Sequence, residues 1–215
     1  MAKELIALAL AAFAAQVSEQ VDLKKPERPV PGPGEAMIVL RAHAPGMVGD
    51  NRILFHRLDP TTGQVARGAE NKPAGVKLTY TYSLFGGNKG EKTLRVAIVP
   101  AGAYVLAGRT FNLNYTDSFC LGAPRFTLAP GQVAYVGDFE MFALAKMPDR
   151  ERRNAMRYAF DLEGARASLA AAYPALAPSL GGWVPTNGAT FRCEGDEFTA
   201  YAVPGAPALS GDTGH

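Results

Sequence analysis

The chain has 215 residues, 47% of them hydrophobic, with 22 basic and 20 acidic side chains and a net charge of +2. That is enough apolar material for a real core, which excludes a wholly disordered chain, and the positive excess is too small for a nucleic-acid surface. Gly 23 and Pro 16 are spread without a period, which suits many short strands and turns rather than long helices.

Residues 1–15, MAKELIALALAAFAA, join Lys3 to an apolar run and end in small residues around Ala12-Phe13-Ala14. This is the layout of a secretory signal with an A-x-A cleavage site, which would send the protein to the periplasm or the exterior. Glu4 cancels Lys3 and keeps a second reading open, an Ala/Leu-rich helix on a cytoplasmic protein. The run is too short for a permanent transmembrane span. Residues 16–34 place four prolines between Pro26 and Pro33, the composition of an extended linker.

One domain is expected over residues 35–203. AMIVLRAHA (36–44) reads as its first strand, and ILFHRLD (53–59), a DPTTG turn and a short strand from Gln64 follow. Residues 76–85 alternate, with Val76, Leu78, Tyr80, Tyr82 and Leu84 on one face and Lys77, Thr79, Thr81 and Ser83 on the other. GGNKG (86–90) lacks the G-x-x-x-x-G-K-[ST] spacing of a phosphate loop and reads as a hairpin tip.

The middle of the chain repeats one plan. RVAIVPAGAYVLAG (95–108) and RFTLAPGQVAYVGD (125–138) each run from a basic residue through a short strand, a Pro/Gly break and a second, aromatic-containing strand. Pro100 and Pro130 lack the donor that a central strand needs, and Gly102 and Gly131 tolerate positive φ, so each break reads as a turn between strands. A further strand is expected over 110–120, and the last of the sheet runs through Leu144. Residues 156–162 are apolar without a clear period. DLEGARASLAAAY (161–173) is the best helix: Asp161 can cap it, Leu162, Ala165, Leu169 and Ala172 recur at helical spacing, and Pro174 ends it. Trp183 falls in a loop, short strands are expected near 189–195 and 197–203, and residues 204–215 read as a tail.

Cys120 and Cys193 are the chain's two cysteines. On export they would meet an oxidising compartment, where a disulfide is the default. It would close a loop of about 73 residues and contribute roughly 4 kcal/mol through chain entropy. Two buried thiols are the alternative. Without a C-x-x-C or enough ligands no metal site is expected, nor is any cofactor.

His43, His56 and His215 are isolated, and alternation with Ile53 and Phe55 sets His56 on the wetter face of its strand. Asp138 and Glu140 share a face at a strand end, where acids are usually solvated or paired with Arg or Lys. Trp183, held by GGWVP, is the aromatic residue best placed for ligand stacking.

The corners at 99–104 and 128–135 resemble the L-x-P-G-x-Y corner of transthyretin-like and carboxypeptidase-regulatory-like sandwich modules, and the chain around them is similar to exported proteins of Gram-negative bacteria. The second corner puts three residues between Gly131 and Tyr135 where the first has one. The resemblance implies a β-sandwich and supplies no catalytic residues.

The expected fold is therefore mainly β: an antiparallel sandwich of about seven to nine strands with a C-terminal helix packed against it. The expected function is that of a non-catalytic, exported envelope protein that binds another protein or an envelope component. The alternative is a secreted hydrolase of glycans or esters, with Asp138, Glu140 and His56 as its first candidates.

Overall fold

A computed structural model describes residues 19–21, 30–43, 49–82, 93–111, 115–118, 123–146, 152–183 and 186–189. Residues 1–15, the tip at 86–90, Cys120, Cys193, the segment 197–203 and the tail at 204–215 lie outside them.

The chain is mainly β. Its strands are β1 (Glu19–Gln20), β2 (Glu35–His43), β3 (Gly49–Arg57), β4 (Gly75–Tyr82), β5 (Thr93–Pro100), β6 (Gly102–Phe111), β7 (Tyr115–Ser118), β8 (Ala123–Leu128), β9 (Val133–Lys146), β10 (Arg152–Ala159), β11 (Leu180–Gly182) and β12 (Thr186–Ala189). One α-helix, α1 (Leu162–Ala172), follows β10. Sheet A has the order β1-β5-β2-β9-β10 with β11 also paired to β9, and sheet B the order β12-β8-β6-β3-β4 with β7 also paired to β6. Pairing is mostly antiparallel; β2 and β11 run parallel to β9.

The two Pro/Gly breaks are crossings between layers. β5 belongs to sheet A and β6 to sheet B, whereas β8 belongs to sheet B and β9 to sheet A. Gly102 and Gly131 have φ of 145° and 77°, so each break uses the freedom of its glycine. Both corners are held at one end of the sandwich by the entry to β2. Ala101 N–H donates to the Gly34 carbonyl at 2.8 Å, and Gly131 N–H donates to the Glu35 carbonyl at 2.7 Å.

Sheet A is buried on both faces along β2; in sheet B, β4 and β8 bury alternate residues, whereas β6 is buried without alternation from Tyr104 to Arg109. In β4, Val76 and Leu78 are buried while Lys77 is exposed, the alternation its sequence carries. In β2, Ala36 through Leu40 are all fully buried, as a strand covered on both sides must be. Ala36, Ile38 and Leu40 join Phe55, Leu78 and Phe126 between the sheets. Met37 and Val39 point the other way, against Ala165 and Leu169 of α1. Ala172, which has the same helical spacing, is exposed near the end of the helix.

The sandwich is fastened along both sides. On one, Gln20, within the segment read as linker, exchanges side-chain hydrogen bonds with the Thr79 backbone at 2.7 and 3.2 Å, and Arg95 Nε donates to the same Thr79 carbonyl at 2.7 Å. On the other, the chain leaves β11 on sheet A and reaches β12 on sheet B, with Trp183 between them. Residues 156–162, which showed no clear period, divide between β10 and the start of α1.

Candidate functional site

The strongest concentration of polar chemistry lies where α1 meets the outer face of sheet A. Arg41 stands on β2 two residues beyond Val39, and so faces the helix. Opposite it is Asp138 on β9. A register shift between Val39/Leu40 and their β9 partners leaves Val136 as an extra residue, and Gly137 beside it has φ of 131°. This bulge lets Tyr135 and Asp138, three positions apart, share one face.

Arg41 Nε and Nη2 donate to the two oxygens of Asp138 at 2.5 and 2.7 Å. Nη2 also donates to Asp161 Oδ2 at 2.8 Å, and Tyr135 Oη donates to Asp138 Oδ1 at 2.5 Å. Asp161 is the helix N-cap, and its Oδ1 accepts the Gly164 N–H at 2.9 Å. One carboxylate thus caps the helix and ties it to the sheet. Gly164 is needed there, because a Cβ at that position would run into Asp161 Oδ2 and Arg41 Nη1.

Arg41 is 7% exposed and Asp138 2%. The hydrogen bonds that Arg41 donates to Asp138 push its pKa upward against the effect of burial, with Asp161 adding to the rise. Burial, and then the bond to Asp138, hold the Tyr135 hydroxyl well above the ordinary phenol range. Asp138 is therefore engaged by a guanidinium and a phenol with almost no solvent access. It anchors a helix, and no substrate can reach it to exchange a proton.

The other sequence candidates lie elsewhere. His56 is half-buried on β3 and follows Phe55, which points between the sheets, so His56 faces outward from sheet B. It and Asp138 thus belong to the outer faces of different sheets. Glu140 has its backbone in β9, paired with Arg157 and His43. Trp183 is half-buried and packs edge-on against Phe126 with centroids 5.1 Å apart, and its backbone N–H donates to the Tyr135 carbonyl at 3.2 Å. It closes one side of the core rather than standing as an open platform. Among the described residues, no three His, Cys, Asp or Glu side chains gather as a metal site, and no helix is long and apolar enough to cross a membrane.

Sequence reasoning missed Arg41 and Tyr135 as the partners of Asp138, and Asp161 as the second carboxylate on Arg41. The signal was present in AMIVLRAHA, since an arginine inside a strand buried on both faces requires a carboxylate partner.

No known family model matches this chain, and no curated protein matches it at a significant level.

Proposed function

We propose that the protein is a non-catalytic binding or interaction module of the cell envelope. The observation that carries this reading is the condition of its best acid: Asp138 is sealed beneath α1, on a different sheet from His56. A hydrolase needs its acid and base to converge on a cleft. The signal-like layout of residues 1–15 supports export, and a Cys120–Cys193 disulfide belongs to the same proposal.

The test uses protein isolated from its source. Intact-mass analysis with and without reduction is expected to show loss of the N-terminal segment and one disulfide. Chromogenic ester and glycoside substrates are expected to remain unhydrolysed. Turnover abolished by His56→Ala would overturn the non-catalytic reading, and an unprocessed N-terminus with two free thiols would overturn export.

A further inference from the structure

The outer face of sheet B is closed at its centre and open at its margins. By alternation β3 turns Leu54 and His56 outward, β4 Lys77, and β8 Arg125; Val105 of β6, paired with both His56 and Arg125, faces the same way. Val105 is 0% exposed and Leu54 8%. Leu58, which continues the ladder against Ala103, is also buried. One strand further out on either side, Lys77 and Arg125 are exposed. Side chains stand nearly perpendicular to a sheet, so neighbours in the same face shield their flanks and leave their tips in water. Complete burial of Val105 therefore requires atoms above it.

Among the described residues none supplies that cover. The helix α1 lies on sheet A, and no described helix or strand packs broadly across β3 and β6 from outside. The loop from Asp59 to Ala74 holds no buried residue, as a segment pressed onto the sheet would. The cover is thus another part of this chain, and it is narrow. The strands of Lys77 and Arg125 are three spacings, about 14 Å, apart, and it passes between them.

We propose that residues 190–203 dock on the outer face of sheet B, laying aromatic side chains over Leu54 and Val105 while their acids meet the cations at its margins. Docking of this kind is independent of export and of catalysis. The segment starts in the right place, because β12 is the edge of sheet B and ends at Ala189, paired with Ala123 of β8. It is also long enough. Glu197 lies eight residues beyond Ala189, about 26 Å of extended chain, and the sheet from β12 to β4 is about 19 Å across. Its composition suits the face: TFRCEGDEFTAYAV offers Phe191, Phe198 and Tyr201 to the apolar centre. Glu194, Asp196 and Glu197 answer Arg52, Lys77 and Arg125. Exposed ion pairs stabilise little, so apolar contact holds the segment and the charges set its direction. A Cys120–Cys193 disulfide would sit at its base, since Cys120 comes three residues before Ala123 and Cys193 four after Ala189. Residues 1–15 are the strongest rival, being more apolar, but they lead into β1 of sheet A and bring one acid, Glu4.

The experiment is zero-length carbodiimide cross-linking of the full chain, read by peptide mass spectrometry. Lys77 is expected to join Glu194, Asp196 or Glu197, and Lys77→Arg, which keeps the charge and loses the amine, to abolish that product. Lys77 joined to Glu4 instead would give the cover to residues 1–15 and overturn the proposal, as would the lack of any product between Lys77 and 190–203. A second measurement compares chains ending at Ala189 and at Pro204 for binding of an apolar fluorescent dye. The shorter chain is expected to bind about threefold more dye with its circular dichroism unchanged. Equal binding by the two folded chains would overturn the proposal, and if the shorter one does not fold the cross-link decides. Loss of residues 1–15 and ester turnover bear on export and catalysis alone, so the two readings fail separately.

Discussion

The two outer faces of the sandwich use arginine in opposite ways. Under α1, Arg41 meets Asp138 and Asp161 and is almost wholly enclosed. On sheet B, Arg52 and Arg125 face outward with no carboxylate joined to them among the described residues. The side chain is the same, and its surroundings set its role. A bulge and a helix cap turn one guanidinium into an internal fastener, while plain alternation leaves the others facing solvent.

The most forceful way to break this contrast is Asp138→Leu, which strands the Arg41 charge inside the protein. It is expected to cost about 4 kcal/mol in urea unfolding, and adding Arg41→Met should recover most of that loss. A single-variant cost below about 1 kcal/mol would show that the pair does not anchor the helix. Replacing Arg52, Lys77 and Arg125 of sheet B by Gln should by contrast shift stability by no more than about 0.5 kcal/mol per site.

A finer test compares the two corner tyrosines. Tyr104 points between the sheets and donates to the Pro100 carbonyl at 2.7 Å, a neutral acceptor, whereas Tyr135 donates to a carboxylate. Tyr135→Phe should cost about 2 kcal/mol and Tyr104→Phe about 1 kcal/mol. Reversal of that order in thermal or urea unfolding would refute the assigned role of Asp138.

Gly164→Ala tests the space around the cap. Helix propensity alone favours alanine by about 1 kcal/mol. The methyl would collide with Asp161 and Arg41, so the expected result is a net loss of about 1 kcal/mol. A gain would mean that the guanidinium moves aside freely.

The mildest perturbation is alkali. Burial raises the pKa of both Tyr104 and Tyr135. Folding therefore favours their protonated forms, and this contribution is intact below the unfolded phenol value of about 10. Stability should decline as pH rises past that value, with a shallower decline in the double Phe variant. Parallel curves would disprove the coupling.

Much of the sandwich was legible because its signals are local. Alternation in β4, the Pro/Gly corners and the helix flanked by Asp161 and Pro174 each occupy a few neighbouring residues. The different facing of the corner tyrosines came only with the structure: Tyr104, four residues after Pro100, points between the sheets, and Tyr135, five after Pro130, points to the helix. Ala134, four residues after Pro130, takes the inward position, and the next residue of a period-two strand faces outward. The parallel pairing of β2 with β9 was not legible, because no local pattern specifies a partner so distant in sequence. The ion-pair site depended on that pairing, so the sequence could mark Arg41 as needing an acid and Asp138 as an acid without joining the two.

The same pairing governs how the molecule must be made. Arg41 and Asp138 are separated by 97 positions in sequence, so β2, apolar on both sides, leaves the ribosome well before its neighbour β9. Loop-closure entropy makes their pairing slow. Until β9 and the helix have been synthesised, this nascent segment exposes apolar surface on which a chaperone can act.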